Sequence, residues 1–188
     1  MSIRGNRVLL RALELDDLPL LHRWSNDEAL WSLLGGWHFP TSLDAQRDWL
    51  LRLKDDRLNQ RFGIETVDHG LIGTANLVSI DWKNGTAEHG MMIGESDLRG
   101  QGYGVDTIAT VMRYAFDELG LSRLDTTIIE YNEASLATYT RKCPWRVEGV
   151  QRKWYYRNGR RWDRYLVGVT CEDYRQWLEQ AGESGPKA

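Results

Sequence analysis

The stretch that most constrains this chain runs from Glu88 to Gly104 and reads Glu-His-Gly-Met-Met-Ile-Gly-Glu-Ser-Asp-Leu-Arg-Gly-Gln-Gly-Tyr-Gly. It has the pattern of a strand, a glycine-rich turn and the start of a helix. Gly100, Gly102 and Gly104 alternate, so the backbone there can take positive φ and approach a ligand closely. Beyond them Val105, Ile108, Ala109, Met112, Ala115, Phe116 and Leu119 recur at helical spacing. That helix aims its N-terminus back at the glycines. Its unpaired N–H groups and positive dipole end make the turn an anion site of the kind used for phosphate. Arg99 adds a cation beside it. The Gly-Lys-Ser/Thr ending of a Walker loop is missing. From Gly100, the third glycine of a dinucleotide fingerprint would fall on Val105.

A chain of 188 residues suits one domain, taken here as residues 1–181 with a flexible tail at 182–188. Hydrophobic residues make up 41% and charged residues 27%, enough for a core and a soluble surface. The net charge of −3 is too near neutral to argue for nucleic acid or an anionic membrane, and neither is expected as a partner. Basic residues crowd one region, with Arg141, Lys142, Arg146, Arg152, Lys153, Arg157, Arg160, Arg161 and Arg164. The favoured reading is a solvated strand face; the alternative is a seat for an acidic partner or a cofactor phosphate. Cys143, Cys171 and the four histidines show no metal-ligand spacing, so no metal is expected. No disulfide framework, charged-then-apolar leader or long apolar run is seen, and the cytoplasm is the expected compartment.

Along the chain, Val8–Leu13 reads as a strand and Asp16 or Asp17 as a helix cap, with Leu18, Leu21 and Trp24 on the apolar side. A short helix over Glu28–Leu34 ends at Gly35-Gly36. Thr41 or Ser42 caps a third helix with Leu43, Trp49, Leu50 and Leu53 as its stripe. Core packing is the reading for Trp24 and Trp49. Trp31, Trp37 and His38, beside the Gly-Gly break, are read as an acceptor-binding lip. Strands follow at Phe62–Val67, Leu71–Ile80 and Thr86–Ile93, linked by hairpin turns and therefore antiparallel. Leu124–Tyr131 is a strand reached through the central helix, so it should lie parallel to the strand before the glycine turn. Asn132–Ser135 opens a short helix carrying Leu136 and Tyr139, ended by Pro144. Two strands joined at Asn158-Gly159 and a helix over Glu172–Gln180 close the chain.

Two motifs now carry a resemblance. Arg99-Gly-Gln-Gly102-Tyr-Gly104 fits Arg/Gln-x-x-Gly-x-Gly/Ala, and Asn132-x-x-Ser135-x-x-x-Tyr139 follows some thirty residues later. Together they resemble the acetyl-CoA loop and the Asn…Ser…Tyr element of the GNAT superfamily of N-acetyltransferases. The stretch from Leu10 to Asp27 and the hairpin from Glu148 to Asp163 resemble one branch of it, which includes ribosomal-protein N-terminal and spermidine acetyltransferases. The resemblance covers about residues 6–172. It implies an α/β (α+β) fold with a mixed sheet of six or seven strands, whose two central parallel strands splay apart around acetyl-CoA. One departure is Cys143-Pro144-Trp145, where the family usually has Gly-Phe. Trp145 can replace an aromatic core residue, and Cys143 reads as a small buried residue rather than an acyl-carrying nucleophile.

The resemblance implies that amides of Gly100, Gln101, Gly102, Tyr103 and Gly104, with Arg99, hold the pyrophosphate. It implies that main-chain groups of Met92, Ile93 and Gly94 pair with the pantetheine amides and that Asn132 touches that arm or the loop beside it. An N–H near Met92 or Ile93 would stabilise the carbonyl oxygen. Tyr139 is the candidate general acid toward the departing sulfur. The base is Glu88, His89, Glu130 or a bound water; as strand neighbours, only one of Glu88 and His89 can face the cleft. The acceptor would be a primary amine: a protein N-terminus, a polyamine, an amino sugar or another small amine. Acidic residues from Glu14 to Glu28 favour a cationic acceptor and the basic hairpin an acidic one. A homodimer is compatible with the sequence. The competing reading is a non-catalytic acyl-CoA sensor or interaction module on the same fold.

Overall fold

The computed structural model describes residues 2–36 and 39–183 of the chain. Strands are β1 (Ile3–Arg4), β2 (Leu9–Arg11), β3 (Gln60–Thr66), β4 (Gly70–Asp81), β5 (Thr86–Ile93), β6 (Arg123–Ile129), β7 (Arg146–Arg157) and β8 (Arg160–Thr170). They form one mixed sheet in the order β1-β2-β3-β4-β5-β6-β8-β7. The eighth strand beyond the expected six or seven is β1. It is two residues long and pairs Ile3 with Leu10 and Arg4 with Leu9, too short to leave a period-two pattern in the sequence.

Among the described strands only β5 and β6 pair in parallel, at three positions: Thr86 with Arg123, Ala87 with Leu124 and Glu88 with Asp125. Beyond that the two strands part. β5 stays paired to β4 as far as Ile93, and β6 to β8 as far as Ile129. A gap therefore opens in the middle of the sheet from His89 on one side and Thr126 on the other.

Helices α1 (Leu18–Ser25), α2 (Glu28–Ser32) and α3 (Leu43–Arg52) cover one face; α4 (Tyr103–Arg113), α5 (Glu133–Ala137) and α6 (Cys171–Glu183) cover the other. On the α1–α3 face Leu21, Trp24, Leu30, Leu50 and Leu71 pack with Met92. On the other face Ile108, Val111, Met112, Leu124, Trp145 and Val169 belong to the larger core. Alternate residues of β5 divide accordingly, Met92 to the first core and Met91 and Ile93 to the second.

The caps follow the sequence with one shift. Asp27 accepts from the Leu30 N–H at 3.0 Å and Ser42 from the Ala45 N–H at 3.1 Å. Asp17 acts a turn earlier than expected: it accepts from the Glu14 N–H at 2.8 Å in a 3-10 turn preceding α1. Its other contacts are to the Arg11 guanidinium, at 2.8 and 2.9 Å. On α3 the inward positions are Gln46 and Leu50, and Leu43 stands half exposed at the first turn, where side chains lean back past the helix start. Both α4 and α5 widen into a π-type turn, at Tyr114–Glu118 and Thr138–Lys142. Helix α6 runs on to Glu183, past the expected start of the tail at 182. Gly182 weakens a helix by about 1 kcal/mol but does not stop it. Trp37 and His38 lie outside the described residues.

Candidate active site

The glycine turn is built as its sequence requires. Gly100 and Gly102 have φ of +74° and +90°, and Gly102 is the N-cap of α4. A Cβ on Gly100 would meet no protein atom, so this backbone faces open space. Gly104 serves packing instead: a Cβ there would lie 3.0 Å from the Met91 Cε. Arg99 spends its donors on the main chain. Its Nε donates to the Ile93 carbonyl at 3.0 Å and Nη2 to the Gly94 carbonyl at 3.3 Å, bracing the strand end against the turn. The Gln101 side chain turns back to donate to the Asp97 carbonyl at 2.6 Å.

The far wall comes from residues that no motif marks. Asp106, in the first turn of α4, accepts from the N–H groups of Asn6, Arg7 and Val8 at 3.1, 2.7 and 2.9 Å. This ties the N-terminal segment to the helix start. Arg7 then donates to the Gln101 carbonyl and lies 4.3 Å over the Tyr103 ring. The result is a groove of about 850 Å³ lined by Arg7, Met91, Met92, Ile93, Arg99, Gly100, Gln101, Gly102, Gly104 and Asn132, among others. Two of the expected residues do not line it. Tyr103 is buried beneath Arg7, with its ring 6.4 Å from that of His69. Gly94 gives its N–H to the Ile72 carbonyl on β4 at 2.8 Å, and a Cβ on it would overlap the Trp24 indole. Strand alternation follows from that bond. Met92 turns its main chain toward β4, while Met91 and Ile93 turn theirs toward the gap.

A second cavity of about 470 Å³ lies on the α1–α3 side and reaches through the gap. It shares Leu33, Leu34, Met91, Met92, Asn132 and Ser135 with the groove. The roof over this junction is held down by hydrogen bonds: Tyr131 Oη donates to the Ser32 carbonyl, Asn132 Nδ2 to Leu33 at 3.2 Å and Arg157 Nη2 to Leu34 at 3.2 Å. Asn132 also caps α5, accepting from the Ser135 N–H at 3.1 Å. The segment next to Gly35 is thus anchored.

Glu88 and Tyr139 both line this second cavity. Glu88 is exposed, and its carboxylate has no hydrogen bond or ion pair among the described residues. Tyr139 is 3% exposed, its ring 5.0 Å from Trp145 and 5.9 Å from His89. Burial raises its hydroxyl well above the usual phenol value, so it keeps its proton. His89 points to the opposite face from Glu88 and is enclosed by Tyr139 and Trp145. Its Nδ1 lies 2.9 Å from the Asn76 carbonyl and Nε2 has no protein partner. Burial holds its pKa down at about 4, so the ring is neutral at pH 7. Glu130 lines neither cavity; its carboxylate accepts from the Asp163 N–H at 3.0 Å. Cys143 is buried and its thiol pushed up to about 12, which suits packing and not nucleophilic attack.

The cavity holds further residues the sequence did not point to as a set: Ser25, Gln46, Trp49, Arg61 and Asn76. They come from four elements that the sheet register and α1–α3 packing bring together, so no spacing signals them. The basic hairpin mostly serves itself. Arg160 lies 3.9 Å over the Trp162 ring, Arg164 4.7 Å over Trp154 and Arg161 5.2 Å over Tyr156. Of the basic cluster only Lys142 lines the groove. Among the described residues no His/Cys/Asp/Glu group could hold a metal, and no helix is long and apolar enough to cross a membrane.

A glycine-cradled groove meeting a polar cavity at a splayed parallel pair is the arrangement of one enzyme class. The acetyltransferase (GNAT) domain model matches residues 7–142, and the chain belongs to the GNAT family of N-acetyltransferases, which use acetyl-CoA. Among individual relatives, the chain is 28% identical over 171 residues to the SPbeta prophage-derived N-acetyltransferase YokL of Bacillus subtilis, covering 90% of this chain and 93% of that one. It is 25% identical over 158 residues to the spermidine N(1)-acetyltransferase of Vibrio cholerae, covering 83% and 88%. The crystal structure of spermidine N-acetyltransferase from Vibrio cholerae in complex with CoA and spermine shares the fold, with a TM-score of 0.84 at 24% identity over 91% of this chain and 99% of that one.

Proposed function

We propose that the chain transfers an acetyl group from acetyl-CoA directly to a primary amine, with the donor in the larger groove and the acceptor in the smaller cavity. The observation that carries this reading is their meeting at the open end of the β5–β6 gap, with Glu88 and Tyr139 both lining the acceptor side. The groove fits the donor. Positive-φ glycines and the start of α4 present N–H groups to phosphate oxygens, and the Arg7 guanidinium closes the same end. Acetyl-CoA supplies the thioester: the acceptor's C–N bond forms as the C–S bond breaks.

The chain's own residues manage protons and charge. A primary amine arrives as the ammonium, and the unpaired Glu88 takes its proton, directly or through a water. The second proton leaves nitrogen as the amide forms, and the sulfur takes one from Tyr139, which is then reprotonated. The balance is amide, free thiol and one proton released. The N–H groups of Met91 and Ile93 face the gap, where the carbonyl oxygen gains charge. The buried, high-pKa Cys143 supports direct transfer over an acyl-cysteine route. Family membership supports a transferase over a sensor. The free cysteines Cys143 and Cys171 suit the cytoplasm. Spermidine heads the test panel because of the Vibrio cholerae relative. Thiol release from acetyl-CoA, read against spermidine, peptide N-termini, amino sugars and simple alkylamines, tests the reading. Release with at least one amine is expected. Acetyl-CoA binding with no release across the panel would return the chain to the sensor reading.

A further inference from the structure

The acceptor cavity carries a charge pattern that a polyamine does not match. Among the described residues lining it, the charged side chains are Arg61 and Glu88, one of each sign. His89 also lines it and is neutral at pH 7. A polyamine brings several positive charges, and a site for it gains from several carboxylates.

Arg61 is placed as a ligand-binding cation. It forms no ion pair or hydrogen bond among the described residues, and its guanidinium lies 5.7 Å from the Trp49 ring. Asp56 acts on it through space. That carboxylate is already taken by the Leu58 N–H at 3.1 Å and the Asn59 amide at 2.8 and 3.0 Å. Gln46 stands on α3 one turn before Trp49 and is 4% exposed. Its side-chain amide meets Ser25 Oγ at 2.7 Å, and that hydroxyl also lies 2.8 Å from the Leu21 carbonyl. A half-buried guanidinium on an indole, with the Gln46 amide in the same lining, is a seat for a planar or tetrahedral anion.

The register puts this seat opposite Glu88. Arg61 pairs with Asn76 and Asn76 with Gly90, so all three share one sheet face, and Glu88 is two residues from Gly90 on the same face. Two strand spacings and two residues separate the Cα atoms by about 12 Å, and both side chains line one cavity. We infer that the acceptor is an amine that also carries an anionic group, a carboxylate or a phosphate, and that Arg61 selects it while Glu88 receives the amine. This rests on the acetyl-transfer reading above.

The test compares acceptors of equal length that differ at the far end. Acetylation rates are measured for ω-amino carboxylic acids, ω-aminoalkyl phosphates, unsubstituted alkylamines and α,ω-diamines over a range of chain lengths, with spermidine included. At one preferred length the wild-type kcat/KM for an anion-bearing amine should exceed that for the matching alkylamine roughly ten- to hundredfold. The carboxylate and phosphate arms tell the two anions apart. Arg61→Gln should collapse that ratio toward one, mainly through KM. Arg61→Lys should keep part of it, and Arg61→Glu should move the preference to diamines. Reaction with alkylamines, diamines or spermidine at least as fast as with every anion-bearing amine overturns the inference. An Arg61→Gln ratio equal to wild type does so as well. The wild-type ratio decides the matter even where a variant does not fold. Thiol release with no amine at all overturns the transfer reading, and this inference with it.

Discussion

The groove proposed for the donor and the cavity proposed for the acceptor are neighbours built on different plans. The groove is main chain: its phosphate end is a run of glycines at the start of one helix, and even Arg99 and Gln101 bond to carbonyl oxygens. The cavity is side chain, with Ser25, Gln46, Trp49, Arg61, Asn76 and Glu88 arriving from α1, α3, β3, β4 and β5. A donor common to a whole family can be held by groups every residue possesses. An acceptor that distinguishes one enzyme from another needs groups that mutation can exchange singly. The first plan tolerates side-chain loss and fails on added atoms; the second does the reverse.

The largest expected effect sits on the acceptor side. Glu88→Gln should lower kcat/KM roughly 10²- to 10³-fold while leaving the calorimetric Kd for CoA unchanged; a parallel loss of CoA binding would break the division. Adding one carbon at the end of β5 comes next. Gly94→Ala places a Cβ against the Trp24 indole and should cost about 2–3 kcal/mol of stability, read by urea denaturation.

His89 stands between the two regions and should respond to pH. Its pKa is about 4 in the folded chain against about 6.5 unfolded. Between those values the unfolded chain holds the extra proton. The stability present at pH 7 therefore falls by about 3 kcal/mol as pH drops through that window, then levels off below it. His89→Gln should remove this part of the slope in denaturation curves recorded from pH 7 to pH 4. The smallest effect is the sharpest for the comparison: Gln101→Ala, inside the motif, should change the Kd for CoA less than about threefold, since the proposed contact is its amide and not its side chain.

The same division governs what the sequence discloses. A glycine's conformational need is written at its own position, so the turn at Gly100–Gly104 and the helix behind it are legible. The cap at Asn132 and the parallel β5–β6 pair are legible too, being local or set by one connection. The settings of Gly94 and Tyr103 were not legible, because they depend on strand phase and on what packs above them. Tyr103 lies under Arg7, 96 positions away in the chain, and Gly94 under Trp24. The acceptor cavity was least legible. Arg61, Gln46 and Trp49 meet only after three antiparallel strands and α3 have found their register, and nothing in their spacing records that meeting.

The brief pairing of β5 with β6 has a mechanical side. On one side of the seam seven paired positions join β4 to β5, and on the other seven join β6 to β8, whereas the seam itself has three. The chain from Ile93 to Arg123 loops through α4 between the two strands of the seam, a closure that carries an entropic cost. Once closed, the rings of His89, Tyr139 and Trp145 rivet the parted ends. The strands flanking the gap are thus two stiffer pairs on a short hinge line. Under load the strands around the gap should part along that line before β4 parts from β5 or β6 from β8.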